Sequence, residues 1–212
     1  MILTQHGINA FPTSGGGGGG GTAIIGGVEY RTVSMPDGNV WLAENLDYKF
    51  DGCIIGNMTQ DYSVARAAYY NNDESTYGVN GKRYGLLYNW TAVDALNTNR
   101  ATLMPGWHVA TQEEWDNLVG LIGENPSPKL KSTTNWVLNG NGTDDYAFTV
   151  WPSGWWYDDN FAYDGYEAHF WTSTGSGPAR GYSNTLYYRA TGVYSDTNMR
   201  RAGYSVRLVQ DT

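Results

Sequence analysis

Apolar and polar positions first alternate over Val28-Glu29-Tyr30-Arg31-Thr32-Val33, which predicts a β-strand with one buried face. Pro36-Asp37-Gly38-Asn39 is turn chemistry, and Val40-Trp41-Leu42-Ala43 after it predicts the second strand of a hairpin. Gly85-Leu86-Leu87-Tyr88-Asn89-Trp90 starts another buried element, expected to continue as a helix through Ala92, Val93 and Leu96. The strongest helix signal follows Trp107-His108-Val109-Ala110. Thr111 and Glu114 have the spacing of a capping box, in which each side chain accepts from the other residue's backbone N–H. Trp115, Leu118, Val119 and Ile122 then form one apolar stripe at helical spacing. Gly123 supplies the stop, and Pro126 and Pro128 are expected to forbid continuation.

After residue 131 the pattern changes to short strands, predicted at 146–151, 170–173, 186–189 and 205–209. Between them lie stretches rich in Gly, Asp, Asn, Ser and Tyr that read as long loops. Lys131 is the last lysine, whereas Arg180, Arg189, Arg200, Arg201 and Arg207 all follow it. At the other end, Gly15 to Gly21 is an unbroken glycine run. It predicts a flexible tether spanning roughly 15 Å. The competing reading is a symmetric junction at which several chains bundle their glycines, since only glycine fits a crowded axis. Residues 1–22 are therefore expected to be an N-terminal appendage and residues 23–212 one domain.

Composition narrows the function classes. The chain has 212 residues, enough to bury a core without metal or disulfide staples. Charged residues are only 16%, so polarity comes from Gly, Asn, Ser, Thr and Tyr, and an aromatic share of 15% excludes disorder. The net charge of −8, with no basic cluster beyond pairs such as Lys82-Arg83, argues against nucleic acid and against anionic membrane surfaces. No apolar run approaches the roughly 20 residues of a membrane span, so no membrane insertion is expected. Met1-Ile2-Leu3-Thr4-Gln5-His6-Gly7 lacks a basic segment followed by a long apolar core. The expectation is an intracellular product or one that leaves by another route, such as within a virus particle.

Catalysis is not expected. Cys53 is the single cysteine, which removes intrachain disulfides and cysteine zinc sites. His6, His108 and His169 show no helix-borne metal spacing, and no nucleophile elbow or phosphate loop occurs. The glycine run matches a dinucleotide fingerprint only trivially, because it opens no βαβ unit. His108 reads as a hydrogen-bonded structural histidine, and Trp41, Trp90, Trp107, Trp115 and Trp171 read as core.

The ordered motifs Asn39-Val40-Trp41-Leu42-Ala43-Glu44-Asn45-Leu46, Tyr84-Gly85-Leu86-Leu87-Tyr88-Asn89-Trp90, Pro105-Gly106-Trp107-His108-Val109-Ala110-Thr111, Pro152-Ser153-Gly154, Phe170-Trp171-Thr172-Ser173 and Gly203-Tyr204-Ser205-Val206-Arg207-Leu208-Val209 carry a resemblance. They resemble the Fibrobacter-type major paralogous domain over nearly the whole chain from about residue 27. The cysteine that members often carry near the closing motif is absent. The resemblance implies an α+β, C-type-lectin-like fold with short antiparallel strands, about two helices and long C-terminal loops.

Domains of this fold serve as variable proteins of diversity-generating retroelements, among them phage tropism determinants. There, mutagenesis of adenines rewrites C-terminal codons, reaching Tyr, Asp, Ser, Gly, Arg, His and Phe but not Lys, Glu, Gln, Met or Trp. The resemblance thus implies a phage-tail adhesin whose variable face binds a bacterial surface protein or glycan. Trp155, Trp156, Glu167, Trp171 and Met199 would be its fixed scaffold. The alternatives are a non-diversified bacterial surface or secreted adhesin and, more remotely, an enzyme on the same fold. Enzymes of this fold that oxidise a sulfatase cysteine use paired C-terminal cysteines, which this chain lacks.

The expected contact residues fall in two stretches, each read as a loop. Tyr157, Asp159, Asn160, Phe161 and Tyr163 form the first, and Tyr182, Asn184, Tyr187, Arg189, Tyr194, Asp196 and Asn198 the second. Tyr with small polar residues is the composition of antibody paratopes, and Tyr, Trp and Arg are the usual interface anchors. Packing is the competing explanation for these aromatics. Strand alternation places Leu186 and Tyr188 on one side, with Tyr187 and Arg189 on the other. No cofactor is expected. Calcium at Asp144-Asp145 or Asp158-Asp159 is the lesser reading, because carboxylate pairs suit a hard cation. A homotrimer, and attachment to a phage tail protein through the N-terminal segment, complete the expected partners.

Overall fold

The hairpin predicted at 28–43 forms and extends backwards. The computed structural model describes residues 20–78 and 83–212. Strand β1 (Gly21–Ile25) pairs antiparallel with β2 (Val28–Ser34), which pairs with β3 (Val40–Leu42). Asp37 makes the second turn, accepting from the Asn39 N–H and from Trp41 Nε1, each at 3.0 Å. The domain therefore begins earlier than expected. Gly21, read as the end of the tether, lies in β1 opposite Thr32 and donates its N–H to Thr32 Oγ1 at 3.1 Å. Thr22, also counted in the expected appendage, lies in the same strand opposite Arg31, and residues 1–19 lie outside the described residues.

Strands β4 (Ile54–Ile55) and β5 (Arg66–Ala68), the short helix α1 (Glu74–Tyr77) and strand β6 (Leu87–Tyr88) follow. Asn89 caps α2 (Trp90–Thr98) by accepting from the Ala92 N–H, and the expected buried element does continue as a helix. After α3 (Arg100–Leu103) and β7 (Trp107–Val109), the predicted capping box forms at the start of α4 (Gln112–Ile122). Gly123 ends it at a φ of 74°. The helix does not continue past Gly123, as expected, and Pro126 and Pro128 instead open a separate short helix, α5 (Pro126–Leu130), in whose first turn a proline has no needed N–H to lose.

The C-terminal half departs most from expectation. Residues 146–151 are not a strand: Ala147 and Thr149 adopt left-handed φ values of 54° and 52°. The Asp144 carboxylate holds this bend, accepting from the Thr149 N–H at 2.7 Å and its hydroxyl at 2.8 Å. Most of the expected long loops are instead β8 (Ser153–Tyr157), β9 (Asn160–Asp164), β10 (Glu167–Gly175), β11 (Arg180–Tyr187) and β12 (Tyr194–Met199). The first expected loop is a two-residue hairpin turn at Asp158 and Asp159, whose φ values of 49° and 63° suit short polar residues in the left-handed region. The second is mainly β11 and β12. Residues 205–209 are two strands, β13 (Ser205–Val206) and β14 (Leu208–Gln210), in different sheets.

The sheet orders are β1-β2-β3-β14-β7, then β12-β11-β10-β8-β9 with β13 also on β10, then β4-β5-β6. The described chain is thus β-rich with few helices. Arg207 joins the first two sheets. It is fully buried, and its guanidinium donates to Asn45 Oδ1 and to the carbonyls of Leu42, Phe148 and Thr149 at 2.8–2.9 Å. Two hydrophobic clusters flank it, one containing Val206 and Leu208, the other Val209. Trp41, Trp90, Trp107, Trp115 and Trp171 are all buried in these clusters, as expected. Gly181 is required by close packing, since a Cβ there would lie 2.1 Å from Trp90 Nε1. No described helix is long and apolar enough to cross a membrane.

Candidate functional site

Register decides which expected contact residues share a face. Residues directly opposite in an antiparallel pair project to the same side. β11 pairs with β12 through Thr185↔Tyr194, Ser183↔Asp196 and Gly181↔Asn198, and with β10 through Glu167↔Tyr187, His169↔Thr185 and Trp171↔Ser183. One side of this sheet therefore carries Tyr187, Tyr194, Asp196, Asn198, Glu167 and His169. Leu186 lies on the other side in the second cluster, with Tyr188 packed against it, while Tyr187 and Arg189 are exposed. That alternation is the one expected.

Aromatic contacts tie this face together. Tyr187 meets Tyr194 edge-on at 5.6 Å between ring centroids and His169 at 6.4 Å. His169 stacks on Tyr204 at 4.8 Å, and Tyr163 stacks on Trp155 at 5.4 Å. The hinge of the arrangement is Glu167. Its Oε2 accepts from Trp155 Nε1 at 3.0 Å and lies 2.8 Å from His169 Nε2. The other imidazole nitrogen is 3.0 Å from Thr185 Oγ1. Tyr163 and Tyr194 remain 50% exposed and Tyr187 37%, so rings held from beneath still present area to solvent. Burial, and after it the Glu167 and Asp196 carboxylates, push the Tyr187 phenol up.

The remaining expected residues divide. The Tyr157 hydroxyl accepts from Arg201 Nη2 at 2.6 Å, and that guanidinium lies 4.8 Å from the Tyr157 ring and 3.3 Å from Asp158. Asp159 and Asn160 are exposed at the hairpin tip, Asn160 donating to the Asp158 carbonyl at 2.8 Å. Phe161 is not with them. It pairs with buried Trp156 and packs 5.5 Å from Tyr70 against the first cluster. Tyr182, opposite Thr197, and Asn184, opposite Ser195, belong to the other side of the sheet. Asn184 is 1% exposed; it accepts from Ser195 Oγ at 2.7 Å and exchanges bonds with the Gln112 side chain at 3.3 Å, tying β11 to α4.

The face also contains residues outside the expected contact set: Trp155, Glu167, His169, Arg201 and Tyr204. Glu167 and His169 alternate with buried Ala168 and Phe170. That period of two is present in the sequence, but it begins three residues before the strand expected at 170–173. Of the acidic pairs weighed for calcium, Asp144 is engaged by Thr149 and Asp158 by Arg201. No group of three or more potential metal ligands occurs among the described residues.

Among known proteins, no curated protein and no solved structure matches the chain. The model of the Fibrobacter succinogenes major domain matches residues 37–210, which takes in every strand from β3 onward and the whole aromatic face. The chain belongs to the Fibrobacter succinogenes major domain family.

Proposed function

We propose that this chain is a receptor-binding domain of C-type-lectin-like fold, a retroelement-diversified adhesin of a phage tail, and that the face of β8 to β12 is its recognition surface. One observation carries the reading: Tyr163, Tyr187 and Tyr194 gather with Trp155 and His169 on one side of the sheet, while Ala168, Phe170 and Leu186 on its other side are core. Tyrosine offers a large amphipathic contact area with few torsions to immobilise. Hydrogen-bonded strands hold it more rigidly than loops could. The residue types fit the same reading. Tyr163, Tyr187, Tyr194, Asp196 and Asn198 belong to the vocabulary that adenine mutagenesis reaches, while Trp155 and Glu167 beneath them do not. Trp156 and Trp171, also outside that vocabulary, are buried.

The test is the triple variant Tyr187→Ala, Arg189→Ala, Tyr194→Ala. It is expected to abolish binding to host cells with the melting temperature nearly unchanged. A large loss of stability instead assigns these residues to packing. Sequencing the 3′ half of the gene across sibling isolates tests diversification. Variation concentrated at the exposed positions of this face, with Trp155, Glu167 and Trp171 constant, supports it; a uniform sequence leaves an ordinary adhesin.

A further inference from the structure

We propose that this face selects a basic side chain, a lysine or arginine presented by a protein receptor, seated between Tyr187 and Tyr194 and the carboxylates of Glu167 and Asp196. This rests on the reading of the face as a recognition surface and adds the chemistry of the ligand. Aromatic faces attract cations through their quadrupole, and the attraction grows where water is partly excluded. Tyr187 and Tyr194 meet edge to face, 5.6 Å between centroids at 62°, and present adjoining ring surfaces, 37% and 50% exposed, against which one cationic side chain can rest. Glu167 lies directly opposite Tyr187 across the ladder, and Asp196 follows Tyr194 on the same side of β12. Glu167 is held in place by Trp155 and His169, so its charge needs no rearrangement to receive a cation.

The nearby cations are committed elsewhere. Arg201 is engaged by Tyr157 and Asp158, and Lys131 donates to backbone carbonyls behind β11. Arg189 lies beyond the end of β11, with its guanidinium 5.3 Å from the Tyr188 ring. Apart from the His169 imidazole, 2.8 Å from Glu167, no cationic side chain among the described residues is ion-paired with Glu167 or Asp196, so their carboxylates face the aromatic rings without a lysine or arginine partner. After burial, Glu167 and Asp196 are among the causes that disfavour the phenolates of Tyr187 and Tyr204. The net charge of −8 steers a basic partner in and repels an acidic one.

The experiment titrates hexalysine amide, hexaglutamate and an uncharged methyl glycoside into the full chain, following backbone amide NMR shifts. Hexalysine is expected to move the Tyr187, Tyr194 and Asp196 signals, while the other two leave them in place. The variant Glu167→Gln, Asp196→Asn keeps the oxygens that Trp155, His169 and the Thr197 N–H use, so it should fold, and its melting temperature checks this. It is expected to weaken hexalysine binding by about tenfold. The variant Asp94→Asn, Glu124→Gln removes the same charge at exposed sites elsewhere and is expected to change binding less than about twofold. Equal weakening by both variants, shifts scattered over other acidic surface, or a response to the glycoside alone overturns the proposal. Loss of host-cell binding in the tyrosine–arginine triple variant, but not in Glu167→Gln, Asp196→Asn, rejects the cation and keeps the recognition face. Host-cell binding that survives both rejects the face as well.

Discussion

The ammonium of Lys131 donates to the carbonyl oxygen of Tyr187 at 2.5 Å and to that of Tyr188 at 3.0 Å. The last lysine of the chain thus anchors, from behind, the end of the strand that presents Tyr187. It is 1% exposed and lies 4.5 Å from the Trp136 ring, and burial pushes its pKa down to about 8. Burial disfavours the charged form, so the unfolded chain holds this proton more tightly than the folded one. Stability contributed by this site therefore rises as pH climbs from about 8 towards the ordinary lysine value of 10.5. The stability difference between the native chain and Lys131→Met, read as urea midpoints, should shift in favour of the native chain between about pH 8 and pH 10, a comparison in which the opposing ionisation of Cys53 and the buried tyrosines in the unfolded state cancels.

Asn184 and Asn198 look alike in the sequence but should behave oppositely. Asn184→Ala strands the Gln112 Oε1 acceptor in the interior, while Gln112 Nε2 and Ser195 Oγ keep each other, and should cost about 1–3 kcal/mol. Asn198 is half-buried and donates to Ser183 Oγ at 2.9 Å, so Asn198→Ala should cost about 1 kcal/mol or less. Chemical denaturation of the two variants side by side checks the order; equal losses contradict the sheet register.

Arg207 should be the most sensitive single position. Removing its guanidinium strands Asn45 Oδ1 and three backbone carbonyls in the interior. Arg207→Ala should cost about 3–5 kcal/mol, and Arg207→Lys should recover only part of this because an ammonium lacks the planar fork. Far-ultraviolet dichroism with urea titration reads both effects.

His108 bridges two carboxylates. Its Nε2 is 2.8 Å from Glu114 and its Nδ1 2.7 Å from Asp211. Only the imidazolium can donate to both, and the Glu114 bond foremost raises its pKa above 6.5. This contribution is fully present below 6.5 and is lost as pH rises through the higher folded value. With Asp211 36% exposed, its size should be on the order of 1 kcal/mol. The stability gap between the native chain and His108→Gln should therefore be wider at about pH 6 than at about pH 8.5.

The legible parts of this chain are those where local chemistry and tertiary demand agree. The hairpin around Asp37 and Gly38, the capping box of Thr111 and Glu114, the Asn89-led helix and the buried tryptophans all follow from residues close together in sequence. The stretch after residue 131 misleads because Gly, Asp, Asn, Ser and Tyr serve loops and half-exposed strands alike. Ser183, Asn184 and Thr185 are polar yet buried at 0%, 1% and 4%, so an apolar period has nothing to report there. Their polarity is satisfied by partners such as Gln112 on α4, which is 72 residues from Asn184.

By itself, then, the sequence determined the caps, turns, aromatic core positions and family motifs, because each depends on a few neighbouring residues and on backbone preferences. Tertiary structure alone decided that Tyr187, Tyr194, Asp196 and Glu167 share one face, while Asn184, Tyr182 and Phe161 do not. A ladder register turns a one-residue difference into opposite sides of a sheet. That register is set by which strands pair and by what the core beneath can accept, and no local pattern carries either.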